Sequence, residues 1–354
     1  MSTRCSFLLP GDLNTRTGGY TYDRNIINGL GARGWQVDVR SLGEGWPLPD
    51  ASAEALAHRI VEAVPDGELA VADGLAFGAM PALAEAHAQR LRWVALVHHP
   101  LSLETGLEAA MRLALFESER RALATARGVI VTSPSTARSL AAFDVPASRI
   151  AVVEPGTEPA PLATGSGSGG LSLLCVATVT PRKGHSLLIE ALAGLSDRHW
   201  TLHCAGSLTM DPECASAFIE AIERHRLAGR VVLHGEQDEA GLRALYARAD
   251  AFVLPSFHEG YGMALAEALA HGLPVISTSA GAIPDTVPAD AGMLVPPGDG
   301  LALRAALQRV MDDADWRAQL SEGARAARQR LPTWADSSAR FASALRSFQG
   351  APVT

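Results

Sequence analysis

His258-Glu-Gly-Tyr-Gly-Met-Ala-Leu-Ala-Glu267 is the stretch on which the reading of this chain turns. It follows a short apolar run, Ala251-Phe-Val-Leu-Pro255, which reads as a buried strand. A glycine-rich turn then opens into a helix of small residues from Met263 to His271, stopped by Gly272 and Pro274. Strand, glycine turn and helix N-terminus together present backbone N–H groups to an anion. Glu259 and Glu267 lie eight positions apart; on one helix they would sit about 80° apart, since each residue advances about 100°. Glu259 is therefore expected on the loop and Glu267 well inside the helix. An anion-binding turn flanked by two carboxylates that can accept hydrogen bonds from hydroxyls suits a nucleotide-sugar.

Outward from this window, short apolar runs alternate with longer amphipathic ones. Strands are predicted to begin near Cys5, Val37, Leu69, Trp93, Val129 and Ile150, then near Leu171, Trp200, Val231, Ala251, Pro274 and Met293. Helical segments such as 51–64, 187–195 and 239–249 fall between them. Alternation of this kind implies an α/β protein with parallel sheets covered on both faces. Between the two series lies Pro155-Gly-Thr-Glu-Pro-Ala-Pro-Leu-Ala-Thr-Gly-Ser-Gly-Ser-Gly-Gly170, a low-complexity stretch that reads as an interdomain linker. The expected organisation is a Rossmann-like domain at 1–160 and a second at 161–332, with parallel sheets facing across a cleft. A last helical segment, Trp334 to Phe348, follows Pro332.

The 354 residues suffice for two such domains. A composition of 47% hydrophobic and 19% charged residues is that of a globular protein with ample core, and no run approaches the length of a membrane span. The net charge of −8 argues against nucleic acid as a partner and leaves peripheral membrane contact open only through a local patch. Arg112, Arg120, Arg121 and Arg127 share a segment with Glu108, Glu117 and Glu119, which reads as a solvated, mixed-charge helix. Cys5, Cys175 and Cys204 lie in strand-like apolar runs, and Cys214 completes the four cysteines; buried free thiols and no legible signal peptide give the expectation of a cytoplasmic location.

Five motifs in order carry a resemblance. They are Thr17-Gly-Gly-Tyr20, Leu96-Val-His-His-Pro100, Thr180-Pro-Arg-Lys-Gly-His185, the two glutamates of 258–267, and Ser279-Ala-Gly-Ala-Ile-Pro-Asp285. In this order the chain resembles the retaining glycosyltransferases of family 4, which have the GT-B fold, over nearly its whole length. The resemblance implies an enzyme that transfers a sugar from a nucleoside-diphosphate sugar. UDP-sugar is the donor most common in the family, with GDP- and ADP-sugars as alternatives. It implies no cofactor and no metal, and it places the 333–354 segment back on the first domain.

Carried residue by residue, the resemblance assigns Lys183 to the departing diphosphate, where transfer needs fixed positive charge. Thr180 and Pro181 read as a helix cap and first helical residue, which would place Arg182 and Lys183 at a helix N-terminus, where cations are disfavoured unless an anion joins them. The competing reading is a surface basic pair. Glu267 is given the ribose hydroxyls, Glu259 the donor sugar near the reacting carbon, and Gly260, Tyr261, Gly262 and Met263 backbone N–H contacts to sugar and phosphates. As a lone residue, Glu267 would be an exposed helical glutamate. The family's arginine five positions before the lysine is replaced by Thr178, and either Arg182 or the Thr178 hydroxyl is left to compensate. Gly18 and Gly19 are expected in a loop that lets backbone approach the donor, although a Gly-Gly pair alone is often just a loop.

His98 matches the family histidine that contacts the donor sugar; a structural histidine is the alternative, and His99 is the fallback. Asp73 is a candidate for the acceptor pocket, and Ser133-Pro134 for a helix cap. The His98-His99 pair shows no carboxylate at ligand spacing, so no metal centre is expected. A sugar-nucleotide epimerase or hydrolase, and a non-catalytic two-lobed binding protein, are the alternative functions. A nicotinamide oxidoreductase fails because residues 11–18 lack the G-x-G-x-x-G spacing. The acceptor, whether small molecule, saccharide or lipid, is not legible.

Overall fold

The computed structural model describes residues 3–167 and 169–350. These divide into two compact units, one formed by the chain up to Gly156 and from Pro332 onward, the other by Thr157–Leu331. The break falls four residues before the expected boundary at 160.

Among the described residues each unit contains one six-stranded sheet, and every pairing in both sheets is parallel. The first comprises β1 (Arg4–Leu9), β2 (Gln36–Ser41), β3 (Leu69–Asp73), β4 (Arg92–Val97), β5 (Gly128–Val131) and β6 (Ile150–Val152), in the order β2-β1-β3-β4-β5-β6. The second comprises β7 (Leu171–Val176), β8 (Trp200–Ala205), β9 (Val231–Gly235), β10 (Ala251–Leu254), β11 (Val275–Thr278) and β12 (Gly292–Val295), ordered β12-β11-β10-β7-β8-β9. The central strands are buried on both faces, which is why they read as unbroken apolar runs rather than alternating ones. In such sheets the connections leave neighbouring strands in opposite directions at one point, and the gap beyond the strand C-termini there receives ligands. That point lies between β1 and β3 in the first unit and between β7 and β10 in the second.

The helix Trp334–Gln349 completes the first unit's core. Thr333 and Asp336 form a reciprocal capping box at its start. Its Phe341 is fully buried against Phe7 and Tyr22, with ring centroids 6.4 and 6.5 Å away. Tyr22 anchors its hydroxyl by donating to the Val153 carbonyl at 3.0 Å.

Three local expectations give way. The low-complexity stretch is pinned along the second unit: Ala163 N–H donates to the His271 carbonyl, Thr164 N–H to Ala247, and Ser166 N–H to the Asp250 carboxylate. Residue 168 of that stretch lies outside the described residues. Glycine and serine leave the backbone open to such bonds, so a composition typical of linkers here makes a strap. In the charged segment, the helix is Ala109–Thr125; Arg127 lies beyond it, and Glu119 is buried rather than solvated. One Glu119 oxygen accepts the Leu101 N–H at 2.9 Å, and burial pushes the carboxyl up to about 8. The third is the start of the basic loop, described below. Ser133 does cap a helix, accepting the Thr136 N–H at 3.0 Å, and all four cysteines are free. Among the described residues no helix is long and apolar enough to cross a membrane.

Truncating Phe341 to Ala is expected to cost about 3–5 kcal/mol, the range for a fully buried phenylalanine, read as a lower denaturation midpoint for the first unit. A proton on Glu119 favours the folded state because its folded value of about 8 lies above the ordinary 4.5. That contribution is complete below the unfolded value and is lost as pH rises through the folded one. Glu119→Gln is therefore expected to flatten the decline of stability from about pH 5 to 8 in chemical denaturation at stepped pH.

Candidate functional site

In the second unit, the chain leaves β7 through half-buried Thr178 and enters a short 3-10 turn, Pro181–Lys183. Thr180 makes no side-chain cap, and the helix proper begins only at His185. The expected N1 position of Pro181 belongs to this turn instead, because Gly184 interrupts it with φ +70°. A Cβ at Gly184 would lie 2.4 Å from the Pro255 carbonyl oxygen, so glycine is required for the turn to pack on the end of β10.

That packing brings Lys183 to Glu259. Lys183 Nζ lies 2.7 Å from Glu259 Oε1, which also accepts from Ser256 Oγ at 2.6 Å. Arg182 donates to the His258 carbonyl at 2.9 Å and stands 3.5 Å from Glu259 Oε2. Burial alone would push the Glu259 carboxyl up, but Lys183 and Arg182 outweigh it and hold the carboxyl below its ordinary value. Burial pushes the Lys183 ammonium down, against the pull of Glu259. The loop 258–261 is braced from behind: Ala282 N–H donates to the Glu259 carbonyl, and Thr286 Oγ1 to that of Tyr261. A Cβ at Gly281 would meet the Glu259 carbonyl oxygen at 2.3 Å, which accounts for the glycine in the 279–285 motif.

Glu259 thus lies on the loop and Glu267 inside the Met263–Ala270 helix, whose N-cap is Gly262 at φ +92°. The first turn of that helix directs backbone N–H groups outward at the C-terminal edge of β10. Glu267 is not a solvated helical glutamate. Its Oε2 accepts from the Tyr246 hydroxyl at 2.9 Å, and burial pushes it up to about 7 with that hydrogen bond pulling the other way. The Tyr246 ring is stacked on His271, 4.9 Å apart and 7° from parallel.

In the first unit, Gly18 and Gly19 are the opening residues of the Gly18–Ala32 helix rather than a loop. A Cβ at Gly19 would lie 3.6 Å from the His98 ring. His98 follows β4, and its Nε2 sits 3.4 Å from Asp23 Oδ1 and 3.3 Å from Asp73 Oδ2. Burial alone would push the ring's pKa down; the two carboxylates outweigh it and raise it to about 10. Asp73 also caps the following turn, accepting the Leu75 N–H at 2.7 Å, so it partners His98 and orders the chain after β3. His99 turns elsewhere, to Glu104 at 3.2 Å. The expectation that His98 lacks a carboxylate companion is overturned: one ligand-type atom from each of Asp23, Asp73 and His98 lies within 4.8 Å of the others. The companions come from 75 and 25 positions upstream, which motif spacing does not reach. The ring, with its raised pKa, gives the two carboxylates a cationic partner.

A family model described as glycosyl transferases group 1 matches residues 170–313, and one described as glycosyltransferase family 4 matches residues 69–160. Both units thus carry glycosyltransferase family segments. Among curated relatives, a glycogen synthase of Mycobacterium tuberculosis is 35% identical over 167 residues, covering 46% of this chain and 39% of that protein. A D-inositol 3-phosphate glycosyltransferase of Salinispora tropica is 30% identical over 206 residues, covering 51% and 43%. The chain thus spans about two fifths of the length of these relatives. Among solved GT-B structures, sucrose-phosphate synthase from Thermosynechococcus elongatus superposes with a TM-score of 0.82 at 24% identity, over 97% of this chain and 99% of that one. Anabaena HepE, solved in complex with UDP and glucose, superposes with a TM-score of 0.76 at 19% identity, over 97% and 100%.

Two site residues escape the motifs. Tyr246 sits in an amphipathic helix with nothing to mark it. Asp23 left a trace: it interrupts the buried stripe Tyr22, Ile26, Leu30 of its helix with a charge.

Lys183→Ala strands the Glu259 carboxylate and is expected to cost about 3 kcal/mol, as loss of one partner of a buried pair does. Lys183→Met combined with Glu259→Gln is expected to recover most of that loss in denaturant titrations. Additive penalties in the double variant would contradict the pairing.

Proposed function

We propose that the protein is a retaining glycosyltransferase that moves a sugar from a nucleoside-diphosphate sugar to an acceptor. UDP-sugar is the first donor to test, followed by GDP- and ADP-sugars. The observation that carries this reading is the Lys183 ammonium held 2.7 Å from Glu259, at the edge of the sheet where β7 and β10 diverge. Departure of a nucleoside diphosphate builds negative charge on the leaving oxygen, and a preorganised cation in a poorly solvated place stabilises it strongly. An ammonium has three donors, so Lys183 can donate to a phosphate oxygen without releasing Glu259.

The first-turn amides of the Met263–Ala270 helix, beginning near Gly262 and Met263, supply further N–H donors to the diphosphate. Glu267, oriented by Tyr246 through Oε2, offers Oε1 to a ribose hydroxyl. Glu259, bound to Lys183 and Ser256, is fixed as an acceptor for donor-sugar hydroxyls beside the reacting carbon. Its carboxylate is already engaged, which favours retention by attack on the face the diphosphate leaves over a covalent glycosyl-enzyme. Thr178 supplies no charge in place of the family's arginine. Lys183, with Arg182 fixed beside it, carries the diphosphate in our reading, and no metal is invoked. The complex of HepE with UDP and glucose supports UDP-sugar as the donor class.

Lys183→Met with Glu259 intact is expected to lower turnover by at least ~10²-fold, the scale for loss of one preorganised charge stabiliser. Activity in EDTA is expected to match that with added Mg²⁺. Donor consumed equally with and without any acceptor would replace transfer by hydrolysis, and no stabilisation by any nucleoside-diphosphate sugar in thermal shift would remove the reading.

A further inference from the structure

Asp23 is fully buried on the inward face of the Gly18–Ala32 helix, and neither of its carboxylate oxygens has a hydrogen-bond partner of good geometry. A carboxylate in that position is costly unless a cation stands beside it. The cation within reach is the His98 ring, 3.4 Å away, which also faces Asp73 at 3.3 Å. Two acids against one imidazole is an excess of negative charge, and it is settled most simply by a ring that keeps both of its protons. His98 Nε2 has essentially no solvent-accessible surface, yet 23% of the side chain is accessible. The ring's other nitrogen is Nδ1; with Nε2–H turned to the acids, Nδ1–H is a donor only while the ring is doubly protonated. Tyr22 packs against the ring in a T-shaped contact, with centroids 5.4 Å apart.

We propose that Asp23 is a positioning residue which, together with Asp73, keeps His98 cationic and in one orientation, so that the ring presents a permanent N–H donor to a substrate oxygen. An ordinary histidine would lose this donor through the neutral pH range. Here the ring lies beside the N-terminus of the Gly18–Ala32 helix, 3.6 Å from where a Gly19 Cβ would be, and the amides of that helix end favour the same electron-rich partner. Without the acids, that helix end would expel the imidazolium's charge.

The other charged or titratable groups facing this cluster are few. Tyr20, on the same helix, is pushed up to about 12 by burial and by Asp73, Glu44, Asp23 and Asp12, so it stays neutral. Tyr22 is likewise pushed up by burial and Asp23. Burial pushes the Asp23 carboxyl up to about 6, against the pull of His98 and, more weakly, of Arg24, and the His99–Glu104 pair is separate from this cluster. None of them replaces the charge that His98 supplies.

The role toward substrate rests on the transfer activity proposed above; the charge state does not, and the two are tested separately. In the full chain labelled with ¹³Cε1-histidine, with the His98 signal assigned by His98→Gln, the resonance is expected to hold its protonated shift from about pH 6 to 9, where an unperturbed ring titrates near 6.5. In Asp23→Asn the same signal is expected to titrate within that window, and Asp73→Asn gives a parallel test that leaves Asp23 in place. For transfer, kcat of Asp23→Asn relative to the parent is expected to fall about tenfold for each pH unit above the variant's His98 pKa, with KM changed far less. A parent His98 that titrates near 6.5 overturns the proposal. So does an Asp23→Asn signal that stays protonated, or a His98 signal shifted by Mg²⁺ or Mn²⁺, which would make the cluster a cation site. A titration as expected with a flat activity ratio would retain the charge assignment and remove only its link to transfer.

Discussion

A carboxylate taken out of water must be matched by a proton, a cation or a set of hydrogen-bond donors, and both strand-end clusters in this protein are answers to that demand. In the first unit, Asp23 and Asp73 are matched by the His98 ring; in the second, Glu259 is matched by Lys183 and Arg182, and Glu267 by Tyr246. The answers differ in kind. Lys183 and Arg182 hold the Glu259 carboxyl below its ordinary value against its burial, whereas burial pushes Glu267, with a neutral phenol as partner, up to about 7. Both clusters rest on the same architectural fact: parallel strands end on one edge of a sheet, and the loops and helices that follow neighbouring strands meet there.

This explains which parts of the protein could be read from the chain and which could not. All twelve strand positions were legible: the central strands, covered on both faces, leave apolar runs that need no knowledge of the partner strand, and the edge strands keep short β-branched or apolar runs. Glu259 on a loop and Glu267 in a helix followed from angular arithmetic alone. Lys183 was legible through its motif, but its ion pair with Glu259 spans 76 positions and depends on Gly184 turning the chain against Pro255. Asp23 and Asp73 reach His98 only because β1, β3 and β4 lie side by side in an order that the chain does not announce. Glu119 failed for a related reason: its charged neighbours Arg120 and Arg121 made the whole segment look solvated, while one helical face turned inward. Composition misled at 155–170, where glycine and serine serve as a surface strap.

The replacement of the family's arginine by Thr178 leaves the second unit with a spare electrostatic arrangement. Arg182 is near enough to compensate, yet it donates to the His258 carbonyl and flanks Glu259, so it serves the loop as a strut. Lys183 is then the one cation in this arrangement that we assign to the departing diphosphate, and Glu259 both orients it and shares its charge. The glycine at 281, pressed against the Glu259 carbonyl, keeps that loop from drifting.

The first unit is discontinuous: its core needs Phe341 and its neighbours, which are made only after the whole of residues 157–331. On a ribosome adding roughly 5–20 residues per second, the strand and helix around Phe7 and Tyr22 wait roughly fifteen to seventy seconds, at those rates, for the aromatic residue that covers them. The intervening 175 residues form an uninterrupted unit that can close while they wait. The order of synthesis is thus the reverse of the order of completion, and the nascent chain carries an uncovered apolar surface that chaperones would meet.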